Sequence, residues 1–75
     1  MIMDKVIYLL DHEVYSEQDA RKLTHKDLEK WVAQEDYDDN YTILKVDAND
    51  YDSVEEAIKA EGLETDGYHV ITFGF

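Results

Sequence analysis

The stretch that most constrains the chain is Tyr41-Thr42-Ile43-Leu44-Lys45-Val46, a β-branched and aliphatic run held between two acidic, turn-forming segments. Glu35-Asp36-Tyr37-Asp38-Asp39-Asn40 precedes it and Asp47-Ala48-Asn49-Asp50-Tyr51-Asp52 follows. A run of this kind bounded by Asp and Asn reads as a strand, and it is placed at the centre of the fold. Six extended residues span about 20 Å. The two acidic segments therefore leave opposite ends of the strand as two separate sites.

Two further runs read as strands. In Lys5-Val6-Ile7-Tyr8-Leu9-Leu10 both alternating sets are apolar, as in an interior strand covered on both faces. Tyr68-His69-Val70-Ile71-Thr72-Phe73 closes the chain after an Asp66-Gly67 turn signal. Glu13-Val14-Tyr15 is expected to add a short edge strand after a turn at Asp11-His12.

Helices are expected between the strands. Ser16 can cap a short one, with Asp19 three residues on, and Thr24 a longer one reaching to about Gln34, with Asp27 at N3 and Leu23 able to staple onto Leu28. Leu28, Trp31, Val32 and Glu35 fall at i, i+3, i+4 and i+7 as a narrow stripe anchored by Trp31. Ser53 starts a third helix with Val54, Ala57 and Ile58 as its buried stripe, and Gly62 with Leu63 forms a Schellman-type stop. Strand, helix and strand at the C-terminal end resemble a βαβ crossover.

The fold class expected is α+β. A single two-layer domain over residues 1–75 would carry a three- to four-stranded sheet with two or three helices on one face, in the order β-(β)-α-α-β-α-β. One sheet face would then expose a set such as Ile7, Leu9, Ile43, Ile71 and Phe73, or its opposite. Burying each such side chain is worth about 1.5–3 kcal/mol. Dimerisation or docking of a partner on that face follows as an expectation.

Charge narrows the functional classes. Nineteen acids against seven bases give a net charge of −12 in 75 residues. Residues 1–34 hold seven acids and five bases, and residues 35–75 hold twelve acids and only Lys45 and Lys59. Such a field repels nucleic acid and anionic membrane and attracts basic proteins or cations. Arg21, Lys22, Lys26 and Lys30 form a basic strip, with the three lysines at i, i+4 and i+8, read as a solvated face. Val6–Leu10 is too short for a signal core or a membrane span, and cysteine is absent. A cytoplasmic protein is the expectation.

Signatures of catalysis are missing from the sequence. Gly62, Gly67 and Gly74 are scattered and make no phosphate cradle, both serines read as helix caps, and His12, His25 and His69 lack metal-site spacing. Asp36-x-Asp38-x-Asn40 with Thr42 and Asp47 matches ligand positions of a calcium loop, but Tyr41 stands where that loop needs glycine and Asp replaces the twelfth-position Glu. No cofactor or metal is assigned. Tyrosine gives rigid contact area with a polar tip, and Tyr37, Tyr41 and Tyr51 are interleaved with acid. Carboxylates spread over a small domain can imitate the phosphates of a duplex, and in composition the chain is similar to small DNA-mimic inhibitors.

The expected function is thus a non-enzymatic acidic module that binds a basic protein, such as a nucleic-acid-binding enzyme. Its contact surface would comprise Glu35, Asp36, Tyr37, Asp38, Asp39, Tyr41, Asp47, Asp50, Tyr51 and Asp52. A small accessory subunit using an apolar sheet face is the competing expectation.

Overall fold

The computed structural model describes residues 4–75, and Met1-Ile2-Met3 lie outside the described residues. The elements are β1 (Val6–Asp11), α1 (Glu17–Lys22), α2 (His25–Asp38), β2 (Ile43–Asp47), α3 (Val54–Glu61) and β3 (Tyr68–Phe73). This is an α+β domain with one three-stranded sheet in the order β2-β1-β3. Both neighbours run antiparallel to β1. β2 and β3 are therefore parallel to each other but not adjacent, and the α3 connection passes over β1.

The organising strand is β1, not the run Tyr41–Val46. Val6, Ile7, Tyr8, Leu9 and Leu10 are all buried, whereas β2 is an edge strand with only Ile43 buried. Successive strand side chains point to opposite faces. On one face Val6, Tyr8 and Leu10 pack with Ala20 of α1, Leu28 of α2 and Ile43; on the other, Ile7 and Leu9 pack with Ala48 and with Ala57 of α3.

The expectation of helices on one face is thereby corrected: α1 and α2 cover one side and α3 the other. Eight helical residues suffice because loop side chains complete the layer, with Tyr51 and Leu63 beside Val54 and Ile58. Both faces carry helices, but Leu44 and Val70, which flank Leu9 on the α3 side, stay 40% and 39% exposed. Glu13–Tyr15 forms no strand. The N–H groups of Val14 and Tyr15 turn back to the Asp11 carbonyl (3.1 and 3.0 Å), so this segment is a turn leading into Ser16.

Local signals explain the helix ends. Ser16 accepts from the Asp19 amide and Ser53 from the Glu56 amide (both 3.1 Å). Thr24 and Asp27 make the reciprocal capping box, and these backbone and side-chain hydrogen bonds hold the Asp27 carboxyl below its ordinary range. Gly62 ends α3 at φ 64°, with the Leu63 amide on the Ile58 carbonyl at 3.0 Å, as the Schellman motif requires.

The helix α2 runs past Gln34 to Asp38, with Asp39 as a left-handed C-cap at φ 57°; Asp is among the few non-Gly residues that tolerate that region. Trp31 is 40% exposed and rests against the Tyr15 ring at 5.8 Å, so it borders the core and does not anchor it. Because the backbone breaks between α1 and α2, Lys22 is not in one helical row with Lys26 and Lys30.

Candidate protein-binding surface

The expected contact residues separate into three environments. Glu35 lies inside. It is 9% exposed, and its Oε1 accepts from the backbone amides of Thr42 (2.7 Å) and Ile43 (2.8 Å). Its Oε2 accepts from the hydroxyls of Thr42 and Tyr15. This carboxylate ties the end of α2 to the start of β2 and is removed from the contact surface. Beside it, burial is the main cause that pushes the Tyr15 hydroxyl above its ordinary pKa.

At the exit of β2, Asp47 accepts from both the backbone and side-chain nitrogens of Asn49 (3.0 and 2.8 Å). Asn49 in turn accepts from the Lys5 amide, and Lys5 Nζ donates to the Tyr51 carbonyl. Tyr51 packs against the α3 face and donates its hydroxyl to Glu61 at 2.6 Å, a bond that raises the pKa of its phenol. Asp47, itself exposed, and Tyr51 thus build the turn, and Asp50 and Asp52 are the other exposed carboxylates of this segment.

The third environment is the end of α2 and the turn after it. Asp36, Asp38 and Asp39 are exposed there around Tyr37, 86% exposed, and Tyr41, 64% exposed. Gln34 donates to Asp38 (3.0 Å), and the Tyr41 hydroxyl donates to Asp39 (3.3 Å). The last turn of α2 contains no basic residue. Carboxylates at a helix C-terminus oppose the macrodipole by about 0.3–1 kcal/mol each.

Cations do not quench this charge. Among the described residues the Lys and Arg ion pairs are Arg21 with Glu17 and Lys45 with Glu29, His25 also lies beside Glu29, and none of these contacts includes an acid between residues 35 and 52. The two acidic segments remain apart, at opposite ends of β2.

The calcium-loop spacing does not converge. Asp36 and Asp38 both lie in α2, where residues two apart point about 200° around the axis from each other. Among the described residues no group of three or more His, Cys, Asp or Glu side chains is placed to hold a metal.

His25, the first residue of α2, stacks on Phe73 (4.9 Å, 15°) and meets Tyr8 edge-on at 5.7 Å. Its Nε2 and the Tyr8 hydroxyl are buried without hydrogen-bond partners. The Glu29 oxygen 3.2 Å from Nε2 is poorly aligned for one. The sequence offered a signal for Glu35, its place on the Leu28 stripe, but none for this pairing of His25 with β3. No helix among the described residues is long and apolar enough to cross a membrane.

Fold and surface together define a small acidic α+β domain with helices on both sheet faces. Compared with protein-family models, with curated proteins and with solved structures, the chain matches none of them.

Proposed function

We propose that the protein is a non-enzymatic, cytoplasmic binding module that occupies a basic site on another protein, in the manner of a DNA mimic acting on a nucleic-acid-binding enzyme. The observation that carries this reading is the exposed cluster Asp36, Tyr37, Asp38, Asp39 and Tyr41 at the end of α2, unpaired with any cation among the described residues. A sequence ordinarily places Lys or Arg at a helix C-terminus. Departures from such local rules concentrate at functional sites.

The contact set is narrower than composition suggests. Asp36, Asp38, Asp39, Asp50 and Asp52 supply charge, Tyr37 and Tyr41 supply area, and Glu35, Asp47 and Tyr51 support the backbone that presents them. Interface tyrosines contribute rigid contact area, and complementary charge chiefly speeds association.

The test is capture from extract of the native cell on immobilised protein, with duplex DNA as the competitor. A bound protein should be released by duplex DNA and by salt. The variant D36N/D38N/D39N/D50N should associate about tenfold or more slowly, as expected for steered encounters. Capture that resists DNA, salt and the four substitutions would refute the mimic reading.

A further inference from the structure

The free edge of β3 differs from every other exposed part of the chain. Residues 67–75, Gly-Tyr-His-Val-Ile-Thr-Phe-Gly-Phe, contain no Asp, Glu, Lys or Arg, although the chain carries nineteen acids. β3 is six residues long, and it contains neither proline nor lysine. Natural edge strands are usually protected by brevity, Lys, Pro, a bulge or a cover. The other edge, β2, has Lys45 at mid-strand and acid at both ends.

Hydrogen-bond alternation shows which groups face outward. The His12 amide donates to the Gly67 carbonyl at 3.0 Å, and β1 and β3 continue in antiparallel register from Asp11 opposite Tyr68. Alternating residues of an antiparallel strand bond to alternate sides. Tyr68, Val70 and Thr72 therefore turn their backbone groups away from β1. The Tyr68 amide is used by the Thr65 carbonyl (3.1 Å); the Tyr68 carbonyl and both groups of Val70 and of Thr72 have no hydrogen-bond partner among the described residues.

We propose that β3 pairs antiparallel with β3 of a second copy, about a twofold axis through Val70. This register sets Val70 against Val70 and Tyr68 against Thr72, so each outward donor meets an outward acceptor. Charge selects the occupant. Two copies at −12 repel over most of their surfaces, and this strip brings no acid against acid. The nearby Glu17 is neutralised by Arg21 at 2.6 Å. Val70 is 39% exposed at the centre of the strip. The dimer is a continuous six-stranded sheet in the order β2-β1-β3-β3-β1-β2, its isologous contact closed by symmetry.

Because the protomers repel, salt should strengthen the contact, the opposite of its effect on an acidic surface meeting a basic partner. Sedimentation equilibrium of the native chain should show a monomer–dimer equilibrium that tightens as NaCl rises from about 50 to about 500 mM, over which the Debye length falls severalfold. Hydrogen exchange should show the Val70 and Thr72 amides gaining protection with protein concentration.

V70K and V70P should sediment as monomers while keeping the circular dichroism spectrum of the native chain. Proline is tolerated on an edge where its missing N–H faced solvent. A native chain that stays monomeric across the salt range, amides at Val70 and Thr72 that gain no protection, or folded V70K and V70P that still dimerise would each overturn the proposal.

Discussion

Glu35 offers the sharpest test of how this small domain is held together. Its replacement by alanine strands the Ile43 amide, which the carboxylate meets at 2.8 Å, and leaves the Thr42 amide, met at 2.7 Å, with only the Asn40 carbonyl at 3.2 Å. Each buried donor left unpaired costs about 1–3 kcal/mol, and hydrogen bonds to a charged group lie at the upper end of the usual range. Because Thr42 keeps that weaker contact, the expected loss for E35A is about 2–4 kcal/mol. A 75-residue domain has about 4–11 kcal/mol in total, so E35A should lose a large share of it. E35Q keeps one oxygen for the two amides and turns its NH2 toward the hydroxyls of Thr42 and Tyr15, which can accept. It should cost about 1–2 kcal/mol. Urea titration followed by circular dichroism at neutral pH measures both. An E35A variant within about 1 kcal/mol of the native chain would refute the account of Glu35 as the tie between α2 and β2.

Two other expectations follow from buried groups and backbone. Tyr8 is fully buried; burial, with Glu29 adding to it, pushes its phenol up to about 12. Below about pH 10 it is protonated folded and unfolded alike; above that the unfolded chain ionises first, so stability falls until the folded group also titrates, by about 2–3 kcal/mol in all. Y8F should remove that part of the alkaline loss and, by deleting an unpartnered hydroxyl, raise stability at neutral pH by about 1 kcal/mol; urea midpoints at pH 8 and 11 that are the same for Y8F and native protein at both values would contradict this. Gly62 and Gly74 both have positive φ, but a Cβ at Gly62 meets nothing within 4 Å whereas one at Gly74 would run into the backbone of Asp4 and Lys5. G62A should cost about 1–2 kcal/mol, the left-handed penalty alone, and G74A clearly more; equal melting temperatures for the two variants would show that the chain end gives way freely.

Local chemistry was legible in the sequence where one residue type has one cheap solution. Thr24 with Asp27, Ser53 with Glu56 and Gly62 with Leu63 mark helix ends because orphan backbone groups must find partners there; the structure closes the first and last as their spacing implies, while at Ser53 the cap forms but the Glu56 carboxylate takes the Asp52 amide instead. What failed were inferences about layers. β1 carries the pattern of a strand covered twice, and part of that cover comes from Ala48, Tyr51 and Leu63 of the loops, which helix patterning does not register. Glu35 shows the complementary failure. Its spacing from Leu28 put it on the inner face of α2, whereas its charge suggested the surface; burial became affordable only through two amides and two hydroxyls eight or more residues away or at the next strand's entrance, contacts that no periodicity encodes. The acidic cluster was legible as composition, but only the end of α2 separates carboxylates that face outward from those that build turns.

The sheet order gives the charge pattern a direction. β2, flanked by the acidic segments, lies on one edge, and the uncharged β3 lies on the other, with β1 between them. Strands are spaced about 4.8 Å apart, so pairing through β3 would carry the two β2 strands to the outer edges, roughly 24 Å from each other across five strand spacings. The acidic segments that flank β2 in each protomer would then face away from its partner. A basic groove long enough to meet both edges would gain from the second contact through effective concentration, without any new interaction being made. The same arrangement explains why the two surfaces respond oppositely to ions: screening weakens a carboxylate's hold on a basic partner and relaxes the repulsion between two protomers of charge −12. Salt should therefore separate the two contacts within one preparation, with partner release and tighter β3 pairing moving together along a single titration.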